Sequence, residues 1–473
     1  MILKKKFKFL LLISLIFMLM VNMSFTINYM NGNKVSNKEA NPNLINTTPK
    51  VSSNLEWNVT WSTSEVDRGQ DIAVDSSENI YVVGHTDIIP GGLANRQLLL
   101  IKFDKEGNHI WNETIGFNEH DYGYGIAIDS KDFIYITGSI SVSSDNNATL
   151  LKYDSEGEQL WNRTWGGPNS DFAFNIAIDN QDNIYITGST ESFPVLGDRE
   201  MFIVKYNENG TKIREEIIST SDLADQTSDI TIDKSYNIYI TGVSNNSYLL
   251  VMKLNKTFDY MWNKTYGKKD GTVEYYGDGI ALGSDNNIYV VGGNDSGGDA
   301  DMILLKYNNS GNLEWCESWD NGSSKQVRGN DIEIDSRNYI YITGSGQFIG
   351  EHYSFILLKY NPLGKQLSST IWEESISDYA NGLTISEKNN VINIYLTGGT
   401  HAGIAQYDVY VAKFTEQIRD KIGYYYSSDD DDDDGKPKDD LLLIVGVTVL
   451  VSAIAAVTVI SVILIKKRSN LKR

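Results

Sequence analysis

A single cysteine, Cys316, among 473 residues excludes an intrachain disulfide and any cluster of thiolate metal ligands. The fold must therefore be held by an apolar core. Histidine is almost as scarce. His85, His109, His120, His352 and His401 show no HxH or HExxH spacing, and they read as loop or surface residues rather than ligands or bases. Clustered cations are missing from the middle of the chain. Nine of the 41 basic residues sit at the two ends, where there is no acid, leaving 32 bases against 62 acids between them, a net charge of about -30. Phosphate binding needs grouped Lys and Arg, so nucleic acid is excluded as a partner.

Long apolar runs occur twice, and only at the ends. Lys4–Lys6 and Lys8 precede the 13-residue stretch Phe9–Val21, the layout of a secretory signal. No A-x-A site follows, so an uncleaved anchor running to Ile27 is the competing reading. Leu441–Ile465 is 25 residues without a charge, long enough to cross a hydrocarbon core of about 30 Å as a helix. The basic tail KKRSNLKR, residues 466–473, places the C-terminus in the cytoplasm and the middle of the chain outside the cell. Residues 28–55 read as a polar linker. Residues 416–440 read as an acidic stalk, whose six consecutive aspartates repel one another and extend the chain.

Between these segments the chain repeats itself. Ile-Tyr recurs at Tyr81, Tyr135, Tyr185, Tyr239, Tyr289, Tyr341 and Tyr395, at spacings of 54, 50, 54, 50, 52 and 54 residues. A glycine follows three positions after each tyrosine. A period near 50 denotes a propeller or a solenoid, and the unit decides between them. Each unit holds four short β-type segments: one like GIAID (Gly125–Asp129), one like NIYITG (Asn183–Gly188), one like MILLKY (Met302–Tyr307), and one like QLWNRTW (Gln159–Trp165). Four antiparallel strands with turn residues between them form a propeller blade. The third and fourth strands are joined by tight turns such as DKEG (Asp104–Gly107), with the Asp closing the turn and the Gly supplying left-handed backbone. The long, variable connections follow second and fourth strands, so they emerge together on one face.

Seven copies of strands one to three are present, but no Trp strand follows Phe414. An unpaired one, Glu56–Trp61, precedes the first copy. The expected fold is therefore all-β: a seven-bladed β-propeller over 56–415, closed by an N-terminal strand, plus one C-terminal transmembrane helix at 441–465. The pattern D-x-x-x-x-I-A-x-D-S-x-x-N-I-Y-x-T-G, with a later L-L-K-Y-[DN]-x-x-G, resembles the SBBP-type β-propeller repeat proteins of archaeal and bacterial surfaces. The fourth copy departs from it at Arg214 and Leu254, and the fifth at Gly283. The resemblance implies a propeller at a cell surface and carries no catalytic residues with it.

Candidate sites follow from position in the unit. Asp67, Asp121, Asp171, Asp225 and Asp378 recur four positions before the Ile-Ala-like core, with Tyr275 and Val327 in the other two copies. They could ring the channel mouth and hold a cation, or each could cap the turn entering the innermost strand. No cofactor is implied, calcium at such a ring aside. Trp57, Trp111, Trp161, Trp262 and Trp315 read as packing between blades. Aromatics assigned to the variable loops, Tyr122, Tyr124, Phe172, Phe174, Tyr276 and Tyr353 foremost, are the candidate ligand contacts. Of twelve N-x-[ST] sequons, Asn58, Asn112, Asn162 and Asn263 fall in the repeated W-N-x-T and are glycosylation candidates. The function these features point to is a membrane-anchored extracellular binding or adhesion propeller for a protein or glycan, without catalysis. A glycan-active hydrolase or lyase on the same scaffold and a structural envelope component are the alternatives.

Overall fold

The computed structural model describes residues 53–418, apart from 64, 88–94, 117–119, 143–144, 194–198, 221–223, 246, 269–272, 296–299, 321–325, 349–351, 376 and 402–406. The expected signal, transmembrane span and tail, and all but the last residues of the linker and the first of the stalk, lie outside the described residues; Asn54 and Leu55, assigned to the linker, already belong to a strand. Among those described, no helix is long and apolar enough to cross a membrane.

The repeated segments form 28 strands in seven four-stranded antiparallel sheets. Strand β1 (Asn54–Trp61) comes first in the chain. Blade 1 is β2–β5 (Asp67–Val74, Ile80–Asp87, Arg96–Phe103, His109–Ile115), and blade 2 is β6–β9 (Tyr122–Ile128, Ile134–Val142, Asp145–Tyr153, Gln159–Trp165). Blade 3 is β10–β13 (Asp171–Ile178, Ile184–Thr190, Glu200–Tyr206, Lys212–Ile218), and blade 4 is β14–β17 (Gln226–Ile232, Ile238–Ser244, Tyr248–Leu254, Tyr260–Tyr266). Blade 5 is β18–β21 (Glu274–Leu282, Ile288–Asp295, Met302–Tyr307, Leu313–Trp319), and blade 6 is β22–β25 (Gln326–Ile334, Ile340–Gln347, Tyr353–Tyr360, Gln366–Trp372). Blade 7 contains β26–β28 (Asp378–Lys388, Val391–His401, Tyr407–Gln417), and its fourth strand is β1, antiparallel to β28 from Asn54 opposite Thr415 to Trp61 opposite Val409. Each innermost strand touches the next, and β26 touches β2, so the seven sheets form a ring.

Apolar side chains of second and third strands fill the space between blades. Ile80, Val82, Leu99, Ile101 and Phe103 of blade 1, for instance, pack with Tyr395, Val409 and Val411 of blade 7. The repeated tyrosines are fully buried. Tyr135 and Tyr185 donate their hydroxyls to Asp129 and Asp179 at 2.9 and 3.0 Å, which accounts for the aspartate that follows the first strand in five of the seven copies. The lysine of the third strand is also buried. Lys102 and Lys152 lie over the rings of Tyr81 and Tyr135 and donate to backbone carbonyls of the next blade's turn, Ser155 at 2.7 Å and Glu208 at 3.1 Å. The apolar stem thus fills the interface while the ammonium joins two blades.

The fourth-strand tryptophans pack between blades, with Trp57 against Gly107, Trp111 against Gly157 and Trp262 against Gly311, each glycine in the following blade's turn. Where the third blade has Arg214, the facing turn has Phe258 in place of glycine at φ 61°, and the guanidinium lies 5.5 Å from that ring. The departures at Arg214 and Phe258 are therefore two halves of one contact.

Every innermost strand carries a β-bulge at the same point, as between Gly69 and Asp71, Ala173 and Asn175, or Gly329 and Asp331. The bulge explains the glycine of each I-Y-x-x-G. A Cβ on Gly84 would stand 1.8 Å from the Arg68 carbonyl oxygen, and one on Gly398 would stand 1.7 Å from that of Tyr379. No side chain fits beneath a bulged backbone approaching so closely.

Candidate ligand site at the channel mouth

The bulge also decides what faces the central channel, because it re-aims the extra residue of the strand. All seven bulged residues, Gln70, Tyr124, Phe174, Ser228, Asp278, Asn330 and Asn381, line one cavity of about 310 Å³ at the axis. A larger hollow of about 730 Å³ shares Asp71, Asn175, Asp229 and Asp331 with it and extends to Thr231, Glu333 and Thr384.

One wall of the mouth is aromatic. Tyr122 and Tyr124 stack at 5.7 Å and 6°, Phe172 and Phe174 lie 6.1 Å apart at 7°, and Tyr124 meets Phe174 at 5.4 Å, so four rings form one continuous surface across blades 2 and 3. Opposite, Arg328 lies 4.3 Å from the Tyr276 ring and holds Asp278 with both guanidinium arms, one at 2.9 Å. Tyr353 packs on Tyr379 at 5.1 Å, and Arg68 lies 4.7 Å from the Tyr407 ring. The structure thus joins four of the six predicted ligand contacts and puts Tyr276 and Tyr353 across the mouth from them. It corrects their origin too. Tyr122, Tyr124, Phe172, Phe174 and Tyr276 belong to innermost strands β6, β10 and β18, and Tyr353 opens β24; none lies in a variable loop.

The five recurrent aspartates do not ring this mouth. Asp67, Asp121, Asp171, Asp225 and Asp378 are fully buried. Each ties the chain entering an innermost strand to the end of the second strand. Asp171 accepts from the Gly167 N–H and the Ser192 hydroxyl, both at 2.8 Å, and also from the Thr190 hydroxyl. Asp378 accepts from the Glu374 N–H at 2.8 Å and the Thr400 hydroxyl at 2.7 Å, and Asp225 from the amides of Thr220 and Asn245. Asp67 accepts from the Thr63 N–H and Asp121 from that of Ser141. These carboxylates are capping groups committed to donors, and they offer no cation ring. Among the described residues no group of three or more His, Cys, Asp or Glu side chains could hold a metal ion.

The carboxylates that do reach the channel stand four positions further on, and the sequence reading missed them. Blades 1 to 7 carry Asp71, Gly125, Asn175, Asp229, Gly279, Asp331 and Gly382 at this position. Each aspartate accepts its own following amide and, across the blade boundary, the amide that follows the next glycine. Asp71 takes Ile126 at 2.9 Å, Asp229 takes Ile280 at 2.7 Å and Asp331 takes Leu383 at 2.7 Å. The available signal was the alternation of Asp with Gly before the Ile-Ala core. Glu333 replaces the usual Ala or Thr in the layer below. Burial drives all four carboxyls upward: Asp71 to about 6, Asp229 to about 7, Asp331 well above the ordinary range, and Glu333 to about 8, with mutual repulsion contributing to the last three. Among the described residues no Lys or Arg forms an ion pair with any of them.

One smaller expectation needs adjustment. His85 is buried in β3, edge-on to Tyr122 at 5.3 Å, and burial beside Arg96 and Arg68 holds its imidazole down near 3. It is a neutral core residue, not a surface one. Asn58, Asn112, Asn162 and Asn263 share one register on outermost strands, opposite Ala412, Ile101, Leu151 and Met252.

Residues 62–89, 115–144 and 164–194 each match the SBBP family, described as a beta-propeller repeat, and the remaining copies keep the same strand order. No curated protein matches the chain in sequence. Similar solved structures include the WD40 domain of Neurospora crassa Pan2 (11% identity, TM-score 0.49, 77% of this chain and 96% of that one). An ulvan lyase bound to a GlcA–Rha3S disaccharide unit is another (10%, TM-score 0.47, 78% and 96%). A third is the periplasmic gluconolactonase of Pseudomonas aeruginosa (11%, TM-score 0.45, 64% and 85%). At this level of overlap no activity is transferred from any of them.

Proposed function

We propose that the chain is a cell-surface propeller that binds a glycan or protein ligand at its channel mouth without transforming it. The supporting topology is the basic-flanked apolar run at 441–465 and the signal-like N-terminus, which put the propeller outside the membrane and the C-terminus in the cytoplasm. The observation that carries the binding reading is the four-ring surface of Tyr122, Tyr124, Phe172 and Phe174 beside a polar cavity. Rigid aromatic faces beside a few convergent polar groups are the usual make-up of a recognition site. The test is to probe the purified full chain in detergent on glycan and protein arrays, then repeat with Tyr122→Ala and Phe172→Ala. Loss of the hits at unchanged melting temperature supports the reading; hits that survive both substitutions refute it.

A second reading, a glycan hydrolase or lyase, is supported by one observation. Carboxyls raised to about 7 and 8, as at Asp229 and Glu333, hold protons at neutral pH as a general acid must. Release of new reducing or unsaturated ends from an array-positive glycan, abolished by Asp229→Asn, would establish it in place of simple binding.

A further inference from the structure

The cavity of about 310 Å³ at the channel mouth has an aromatic wall, Tyr124 and Phe174, and a floor of three carboxylates, Asp71, Asp229 and Asp331. Its size is at the lower end of small-ligand pockets, roughly 300–1,000 Å³, which suits one sugar ring rather than a chain. Its polarity is one-sided. The guanidinium in its lining, Arg328, is already held by Asp278 and lies over the Tyr276 ring, so its charge is answered before a ligand arrives. The floor carboxylates are fixed in place by backbone amides of two blades each, as Asp229 is by Ile230 and Ile280, both at 2.7 Å. They cannot swing apart to relieve their repulsion, and Glu333 adds a further carboxyl in the hollow below.

Resting on the reading of the mouth as a glycan site, we infer that the cavity selects an amino sugar carrying a free, protonated amine. An ammonium group is attracted by the rings of Tyr124 and Phe174, and its charge beside the carboxyls beneath them favours their ionised form, so an ion pair forms as their proton passes to solvent. A uronic acid brings its negative charge beside carboxyls that already resist ionisation in each other's company and is rejected. An N-acetylated sugar loses the charge and adds bulk in a cavity sized for one ring.

The test is calorimetric titration of the full chain in detergent with three oligosaccharide series of matched length: glucosamine, N-acetylglucosamine and glucuronate oligomers. The glucosamine series should bind at least about tenfold more tightly than either other. That preference should shrink in Tyr124→Ala and also in Glu333→Gln, which keeps side-chain volume and removes the group able to ionise beside an ammonium; far-UV circular dichroism and melting verify that both variants are folded. Equal binding of the amine and its acetylated form overturns the inference, as does a preference for glucuronate. Absence of binding by all three also overturns it, and the array experiment separates the two failures. Array hits lost in Tyr122→Ala and Phe172→Ala leave the mouth as the binding face with a different ligand; hits indifferent to those substitutions refute the face itself.

Discussion

The carboxylate of Asp71 accepts a hydrogen bond from the backbone N–H of Ile126 in the neighbouring blade, at 2.9 Å. Gly125, which precedes the donor, is itself pressed against the next blade: a Cβ there would lie 3.0 Å from the Asn175 Cα. The same Asp-then-Gly pairing recurs at Asp229 with Gly279 and at Asp331 with Gly382. Each pair uses two blades, so three pairs use six of seven, and an odd ring leaves one blade over. That blade is the third, and it carries Asn175, whose amide oxygen accepts from its own neighbour Ile176, at 2.6 Å. A fourth aspartate there would place another charge in a channel where the existing ones already repel. The rule joins adjacent sheets near the axis, where side chains are too short to pack deeply.

Those same carboxyls give the propeller a pH dependence with a definite sign. Folded-state values of about 7 for Asp229 and about 8 for Glu333 lie above unfolded ones, so the folded chain binds more protons across that window and loses stability as pH rises through it. His85 works the opposite way, but its folded value near 3 confines its effect to below about pH 6.5. The melting temperature should therefore fall from pH 6.5 to 8.5, by roughly 1–3 °C, and Glu333→Gln should flatten the decline. A wild-type profile that rises over this range contradicts the assignment.

The Arg214–Phe258 contact predicts a coupled pair. Phe258→Gly relieves left-handed backbone but removes a ring that is 3% exposed, and burial outweighs strain, for a net loss of about 2–3 kcal/mol. Adding Arg214→Trp restores the tryptophan-on-glycine packing of the other blades and should recover at least about 1 kcal/mol of that. Urea denaturation of the two single variants and the double variant measures the coupling; additive effects would show that the two residues do not act as one contact.

Strand β1 provides a third test. Deleting Glu56–Trp61 removes the partners of Val409–Lys413 in β28 and leaves an edge that templates association. It also removes Trp57 from Gly107. The truncated chain should aggregate or melt at a markedly lower temperature, whereas deletion of residues 28–52 should change neither. Equal behaviour of the two truncations, by light scattering and melting, would show that β1 contributes nothing to the ring.

Much of this architecture was legible without coordinates. Seven Ile-Tyr copies set the number of blades because each marks one buried second strand, and the missing Trp strand after Phe414 pointed to the one before Asp67. Strand order and turn type are local properties, written in alternation and in D-x-x-G. What the ring places side by side was not legible. The recurrent Asp67 position looked like a channel feature and proved to be a buried cap, whereas Asp71, four residues on, reaches the axis. Between them lies the bulge, one extra residue that shifts the alternation of faces, and a strand pattern read in steps of two cannot show where the shift falls. The pairing of Asp71 with Ile126 needs blade 2 beside blade 1 in a fixed register, 55 residues apart in sequence. Local periodicity determined the strands; only closure into a ring decided which polar groups share the channel.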